Sequence, residues 1–161
     1  MRPTLFIMVG LPGSGKTTLA KQLEQRHHAL RLTPDEWMMP LFGWGESGDK
    51  RDVLENLLWN VAARTLELGL NAVLDYGLWG RWERTEYRAR AEALGARVEL
   101  HFLDLPLEEL CIRVDRRNRN LQPGEVPITL EELTGWFEIF EAPTLEELAS
   151  GRSNLSPESG A

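Results

Sequence analysis

The segment Gly10-Leu11-Pro12-Gly13-Ser14-Gly15-Lys16-Thr17 constrains this chain more than any other stretch. It fits the pattern Gly-x-x-x-x-Gly-Lys-Thr, which has meaning only between a strand and a helix. Both neighbours comply. Thr4 to Val9 is a short apolar run with β-favouring residues, as expected of a strand buried on both faces and central in its sheet. From Thr17 to Arg26, helix formers with Leu19 and Leu23 four apart follow the turn, and His27 and His28 close the helix. Glycines let such a loop wrap a phosphate with its N–H groups while the helix points its positive end at the same anion. Lys16 then reaches the β- and γ-phosphates and the Thr17 hydroxyl ligates magnesium. The candidate nucleotide-binding residues are Gly10, Leu11, Pro12, Gly13, Ser14, Gly15, Lys16, Thr17 and Thr18.

The remaining pattern alternates short apolar runs with helical stretches. Ala29 to Leu32 reads as a second strand, and Thr33-Pro34-Asp35 starts a helix with Thr33 as N-cap and Pro34 in the first turn. Gly43, Gly45 and Gly48 mark a loop, after which Val53, Leu57, Leu58, Val61, Thr65 and Leu68 form a helical stripe stopped by Gly69. Ala72-Val73-Leu74 is a third buried strand ending in Asp75; Arg81 to Leu94 is a helix, Val98 to Leu105 a fourth strand, and Leu107 to about Asn118 another helix. Thr129-x-x-Glu132 and Thr144-x-x-Glu147 are capping boxes for two more helices. Strands separated by helices imply a parallel, doubly wound α/β sheet with right-handed crossovers. The tail from Ser150, rich in Gly, Ser and Pro, reads as disordered, leaving residues 1–149 as one domain.

Composition narrows the function. With 161 residues, 42% hydrophobic and 27% charged, the chain can bury one ordinary core. A net charge of −7 argues against an extended nucleic-acid surface, which needs a basic face. Cys111 is the only cysteine, which excludes an intramolecular disulfide and a thiolate metal site and fits a reducing, cytoplasmic setting. No apolar run approaches the roughly 20 residues of a membrane helix. There is no Asn-Lys-x-Asp guanine motif, no Leu-Ser-Gly-Gly-Gln signature, and no room for the extra helical domain of ring-forming ATPases.

What is left resembles the compact P-loop kinases that include chloramphenicol phosphotransferase, zeta toxins and the kinase domain of polynucleotide kinases. The resemblance rests on Gly-Leu-Pro-Gly-Ser-Gly-Lys-Thr-Thr at 10–18, Thr-Pro-Asp-Glu at 33–36, Val-Leu-Asp-Tyr-Gly at 73–77 and the Arg-rich segment at 113–119. It implies a three-layer α/β/α P-loop NTPase fold of nucleoside-kinase type, with strand order 2-3-1-4 and a short lid at about residues 113–128. It also implies ATP and Mg2+ as cofactors.

By the same resemblance Asp35 is the carboxylate that takes the acceptor proton, with Glu36 in reserve; a helix-start aspartate held by the macrodipole is the alternative. Asp75 ends its strand as a Walker-B-like carboxylate would, holding magnesium together with Thr17; a strand-end turn residue is the alternative. Arg113, Arg116, Arg117 and Arg119 lie where similar kinases carry lid arginines over the transferring phosphate. Arg117 is the first choice for catalysis beside Lys16, and Arg113 with Arg117 for contact with ATP. Glu109 and Arg113, four apart, could equally be a solvated surface pair. Tyr76, Trp79 and Trp82 could stack on a flat acceptor or pack as core, Trp37 and Trp44 share the ambiguity, and Arg81 and Arg84 are the basic candidates on that side. Polynucleotide kinases of this group carry an arginine three residues after the catalytic aspartate, where this chain has Met38. The expectation is therefore an ATP-dependent kinase acting on a hydroxyl of a small molecule. A nucleic-acid 5′-hydroxyl or nucleotide-sugar kinase, or an ATP-binding switch with slow hydrolysis, are the rivals.

Overall fold

A computed structural model describes residues 1–43 and 48–150; Trp44, Gly45 and the tail beyond Ser150 lie outside the described residues. Four strands, β1 (Thr4–Val9), β2 (Ala29–Leu32), β3 (Asn71–Gly77) and β4 (Arg97–Phe102), form one parallel sheet in the order β2-β3-β1-β4. Seven helices accompany them among the described residues: α1 (Lys16–His27), α2 (Pro34–Phe42), α3 (Lys50–Glu67), α4 (Arg81–Ala93), α5 (Leu107–Arg119), α6 (Leu130–Ile139) and α7 (Leu145–Ala149).

Strand alternation sorts β1 between two cores. Leu5, Ile7 and Val9 join Ala72, Leu74 and Tyr76 of β3 in packing with Leu54, Leu58, Trp59, Ala62 and Leu66 of α3. Phe6 and Met8 turn the other way with Val73 and meet Ala20 and Leu23 of α1. The result is a helix, sheet, helix sandwich with β1 inside it, as the sequence predicts. A third cluster joins Leu11, just past β1, to Leu110 and Val114 of α5 and Leu133 of α6.

The α3 stripe differs from expectation. Leu58 and Thr65 are buried, but Val53, Leu57, Val61 and Leu68 are exposed, and Leu54, Ala62 and Leu66 face the sheet in their place. Leucine, valine and alanine occupy two adjacent i,i+4 ridges of this helix, and periodicity alone does not say which ridge the sheet covers. β3 also runs on past Asp75 to Gly77. Between the pairs Ile7↔Leu74 and Val9↔Gly77, β1 advances two residues and β3 three. This bulge lies at Asp75 and Tyr76, where the strand enters the site. Both capping boxes form: Thr129 and Thr144 each accept from the N–H of the glutamate three residues on, whose carboxylate accepts from the cap N–H.

Candidate active site

The phosphate loop sits at the carboxyl end of β1, where doubly wound sheets open their binding crevice. The Gly10 N–H donates to the Gly77 carbonyl at 3.2 Å and the Ser14 N–H to the Leu11 carbonyl at 3.2 Å, which ties the loop to β3 and closes its turn. Gly13 and Gly15 have φ of 84° and 92°, the left-handed region that other residues occupy at a cost. Gly15 is the N-cap of α1 and the first turn of α1 carries no acidic residue, so the helix end offers its N–H groups and positive pole uncompensated. The Lys16 ammonium donates to the Leu11 carbonyl at 3.1 Å, folded back over its own loop. Burial pushes its pKa below the ordinary 10.5, although Asp75 and Asp35 pull the other way.

Asp75 is buried at the root of this loop. Its Oδ2 accepts two hydroxyl protons, from Thr17 Oγ1 at 2.7 Å and Thr33 Oγ1 at 3.0 Å. Its Oδ1 is buried and has no hydrogen-bond partner among the described residues, and neither has Ser14 Oγ. A carboxylate oxygen so placed is costly unless something cationic or protic meets it. Beside the Thr17 hydroxyl it suits a hard cation with oxygen ligands. Among the described residues no group of three or more metal-ligating side chains occurs. Thr17 and Asp75 offer two hard oxygen ligands side by side, a set that fits magnesium, which takes few protein ligands and draws the rest from water and phosphate.

Asp35 lies in the first turn of α2 and is largely exposed. Its Oδ1 accepts from Arg51 Nη1 at 2.6 Å, and Arg51 Nε donates to Glu55 at 3.0 Å. Burial works against the Arg51 charge, but Asp35 and Glu55 outweigh it and hold its pKa above the ordinary value. The charges of Asp35 and Arg51 both act on Lys16, the first favouring and the second opposing its charged form. Arg51 escapes sequence reasoning, because Arg51 and Glu55 four apart read as an ordinary solvated pair.

Of the α5 arginines, Arg113 stands against the loop: its Nη1 is 3.9 Å from where a Cβ on Gly15 would lie, while its Nε donates to Glu109 at 2.7 Å. Arg117 donates to the Val126 carbonyl at 3.2 Å, Arg119 pairs with Asp115 at 2.7 Å, and Arg116 is exposed. The segment from Asn120 to Ile128 arches from α5 toward α2. Asn118 anchors its end through two bonds with Ile128, and Gly124 at its tip lies beside Met39.

The aromatic and basic residues beyond Asp75 divide. Tyr76 is core, its hydroxyl donating to the Glu55 carbonyl at 2.9 Å, and Trp79 packs on Trp136 with ring centroids 5.6 Å apart. Trp82 and Trp37 are exposed, against the core reading of Trp82. Arg84 is not an acceptor-side cation. It is 2% exposed and donates to the carbonyls of Leu78 and Trp79 and to both carboxylate oxygens of Glu147. Its spacing on α4 could not disclose a partner 63 residues away.

Comparison with known proteins agrees with this architecture. The chain is 33% identical to the bifunctional enzyme NodQ of Azospirillum brasilense over 157 residues, 91% of this chain and 24% of that protein. It thus spans about a quarter of that relative's length. Among solved structures it is similar to the Pnkp1/Rnl/Hen1 RNA repair complex (TM-score 0.72, 23% identity, 85% of this chain and 43% of that one). It is likewise similar to Chaetomium thermophilum Kti12 in complex with ADP-AlF3 (0.68, 18%, 87% and 81%) and to a gluconokinase from Sinorhizobium meliloti 1021 (0.62, 18%, 90% and 79%). A family model described as an AAA domain matches residues 5–143. With that match covering the phosphate loop and all of the sheet but its first residue, the chain belongs to this AAA domain family, in its P-loop, kinase-like form.

Proposed function

We propose that the protein is an ATP-dependent phosphotransferase that moves the γ-phosphate of ATP to a hydroxyl group of a small-molecule acceptor. The observation that carries this reading is the Thr17–Asp75 pair beside the phosphate loop at the carboxyl end of the sheet, with the Asp35–Arg51 pair just past the end of β2 and the charges of Asp75, Asp35 and Arg51 all acting on Lys16. The loop N–H groups and Lys16 hold the triphosphate, Lys16 leaving the Leu11 carbonyl for a phosphate oxygen. Magnesium, held by Thr17 and Asp75, would offset the charge that builds on the phosphates. Arg51 fixes one oxygen of Asp35, and the other receives the acceptor's proton as its oxygen forms the new bond to phosphorus and the bond to ADP breaks. Arg113, beside Gly15, and Arg117 at the root of the arching segment supply positive charge over the transferring group, the segment acting as a short lid.

A small acceptor is favoured over a nucleic acid for three reasons. The net charge is −7, Met38 stands where a phosphate-holding arginine would serve a polynucleotide, and Arg84 is consumed inside the fold. No helix among the described residues is long and apolar enough to cross a membrane, and the lone cysteine suits the cytoplasm, where such acceptors are met. The test is transfer of label from γ-labelled ATP with magnesium to a metabolite extract, an antibiotic panel and 5′-hydroxyl oligonucleotides, with Asp35→Asn as the blank. A labelled small molecule absent from the blank is the expected result. Label recovered only as free phosphate would instead favour an ATP-dependent switch.

A further inference from the structure

Thr33 occupies the N-cap of α2 but does not cap it. A threonine there ordinarily turns its hydroxyl to an N–H of the first helical turn; here no side-chain cap bond forms, and the Glu36 N–H bonds to the Thr33 backbone carbonyl at 3.0 Å. The hydroxyl, on a residue 3% exposed, lies instead between Arg31 Nη1 at 2.6 Å and Asp75 Oδ2 at 3.0 Å. Arginine can only donate and a hydroxyl has one proton, so the Thr33 proton is committed to Asp75. Arg31 in turn is braced by Glu24 of α1 at 3.0 Å and Glu36 of α2 at 2.8 Å.

We infer that Thr33, backed by Arg31, is a positioning residue that pins Asp75 through Oδ2 and so aims the unpartnered Oδ1 at the magnesium of MgATP or at its water. The inference rests on the metal-holding role proposed for Asp75. Thr17 also donates to Oδ2, but it is itself a candidate ligand of the metal, so Thr33 is the donor that stays when the nucleotide arrives. The same bond joins the start of the helix that carries Asp35 to the carboxylate at the metal, so the proton acceptor and the metal site share one support.

The experiment is ADP binding by calorimetry across a magnesium titration, for the wild type, Thr33→Val, which keeps the shape and loses the hydroxyl, and Thr33→Ser, which keeps the hydroxyl. The magnesium midpoint should rise about 10- to 100-fold in Thr33→Val, the loss typical of an outer partner of a metal ligand. Metal-free ADP affinity should be unchanged, and Thr33→Ser should restore the midpoint. An unchanged midpoint in Thr33→Val, with magnesium dependence intact in the wild type, overturns the inference and leaves the kinase reading standing. Equal loss of metal-free binding in both variants also overturns it, by showing that Thr33 acts on the fold. A wild type whose ADP affinity ignores magnesium removes the metal-holding role of Asp75 and this inference with it. If Thr33→Val does not fold, Thr33→Ala carries the same test.

Discussion

Replacing Arg84 with methionine keeps the apolar stem and removes a guanidinium that holds three parts of the chain together. Two of its bonds go to the carbonyls that follow β3, at Leu78 and Trp79, at 3.1 and 3.2 Å, and two to the Glu147 carboxylate, at 2.9 and 3.4 Å. Breaking a buried ion pair from one side costs about 3–5 kcal/mol, because the surviving charge stays buried. Glu147 keeps some access to water, its side chain 13% exposed, and still accepts from the Thr144 N–H, so the lower end applies, about 3 kcal/mol. For a domain of this size that is a fall in Tm of about 6–12 °C. Urea melts of the wild type, Arg84→Met, Glu147→Leu and the double variant measure it, with the double variant recovering much of the loss since no charge is then stranded. A loss under about 1 kcal/mol, or strict additivity in the cycle, would refute the reasoning that this pair is structural.

Gly13→Ala should destabilise the protein by roughly 2–5 kcal/mol, from its φ of 84° and from a Cβ set 3.0 Å from Val114 Cγ2; adding Val114→Ala should relieve the clash but not the backbone term, as chemical denaturation of the pair would show. Lys16→Met should weaken ATP binding in calorimetry while raising the melting temperature of the nucleotide-free protein, because burial disfavours the lysine charge there. By the same linkage, wild-type stability without nucleotide should rise with pH as the pH climbs toward 10.5, since the unfolded chain keeps the lysine proton longer, and Lys16→Met should lack that rise. From about pH 10 upward the tyrosines work against that rise: burial pushes Tyr87 up to about 12 and Tyr76 higher still, so the unfolded chain ionises them first and their contribution lowers stability, less steeply in Tyr87→Phe.

The parts of this molecule governed by neighbours in sequence were legible in it. The strand, glycine turn and helix around Lys16, the strand β2, the strand order and both capping boxes depend on local pattern or on the resemblance those patterns supported. What failed depended on distant partners. Which ridge of α3 is covered is decided by the sheet, and Leu57 and Leu58 cannot be told apart before the sheet is in place. Arg84 looks like any helix-surface arginine until Glu147 arrives, and Arg51 looks like half of a local pair until Asp35 is folded onto it. Thr33 stands at its helix start as the sequence predicts, but local rules assign its hydroxyl to the helix, whereas the tertiary structure gives it to Asp75.

Leu11 of the phosphate loop packs with Leu110 and Val114, and Gly13 comes up against Val114 as well. The first half of α5 is therefore bedded in the same small core as the loop it overlooks, and in the lid proposed above any hinge has to lie past Val114. Such a hinge would leave Arg113 on the stationary side and Arg116, Arg117 and Arg119 on the moving side. Their contributions should thus separate in time, the first felt when nucleotide docks and the others only when the lid shuts. Slowing the closure with a viscous solvent should then leave the docking step of Arg113 untouched and draw out the steps that wait on the arginines beyond it.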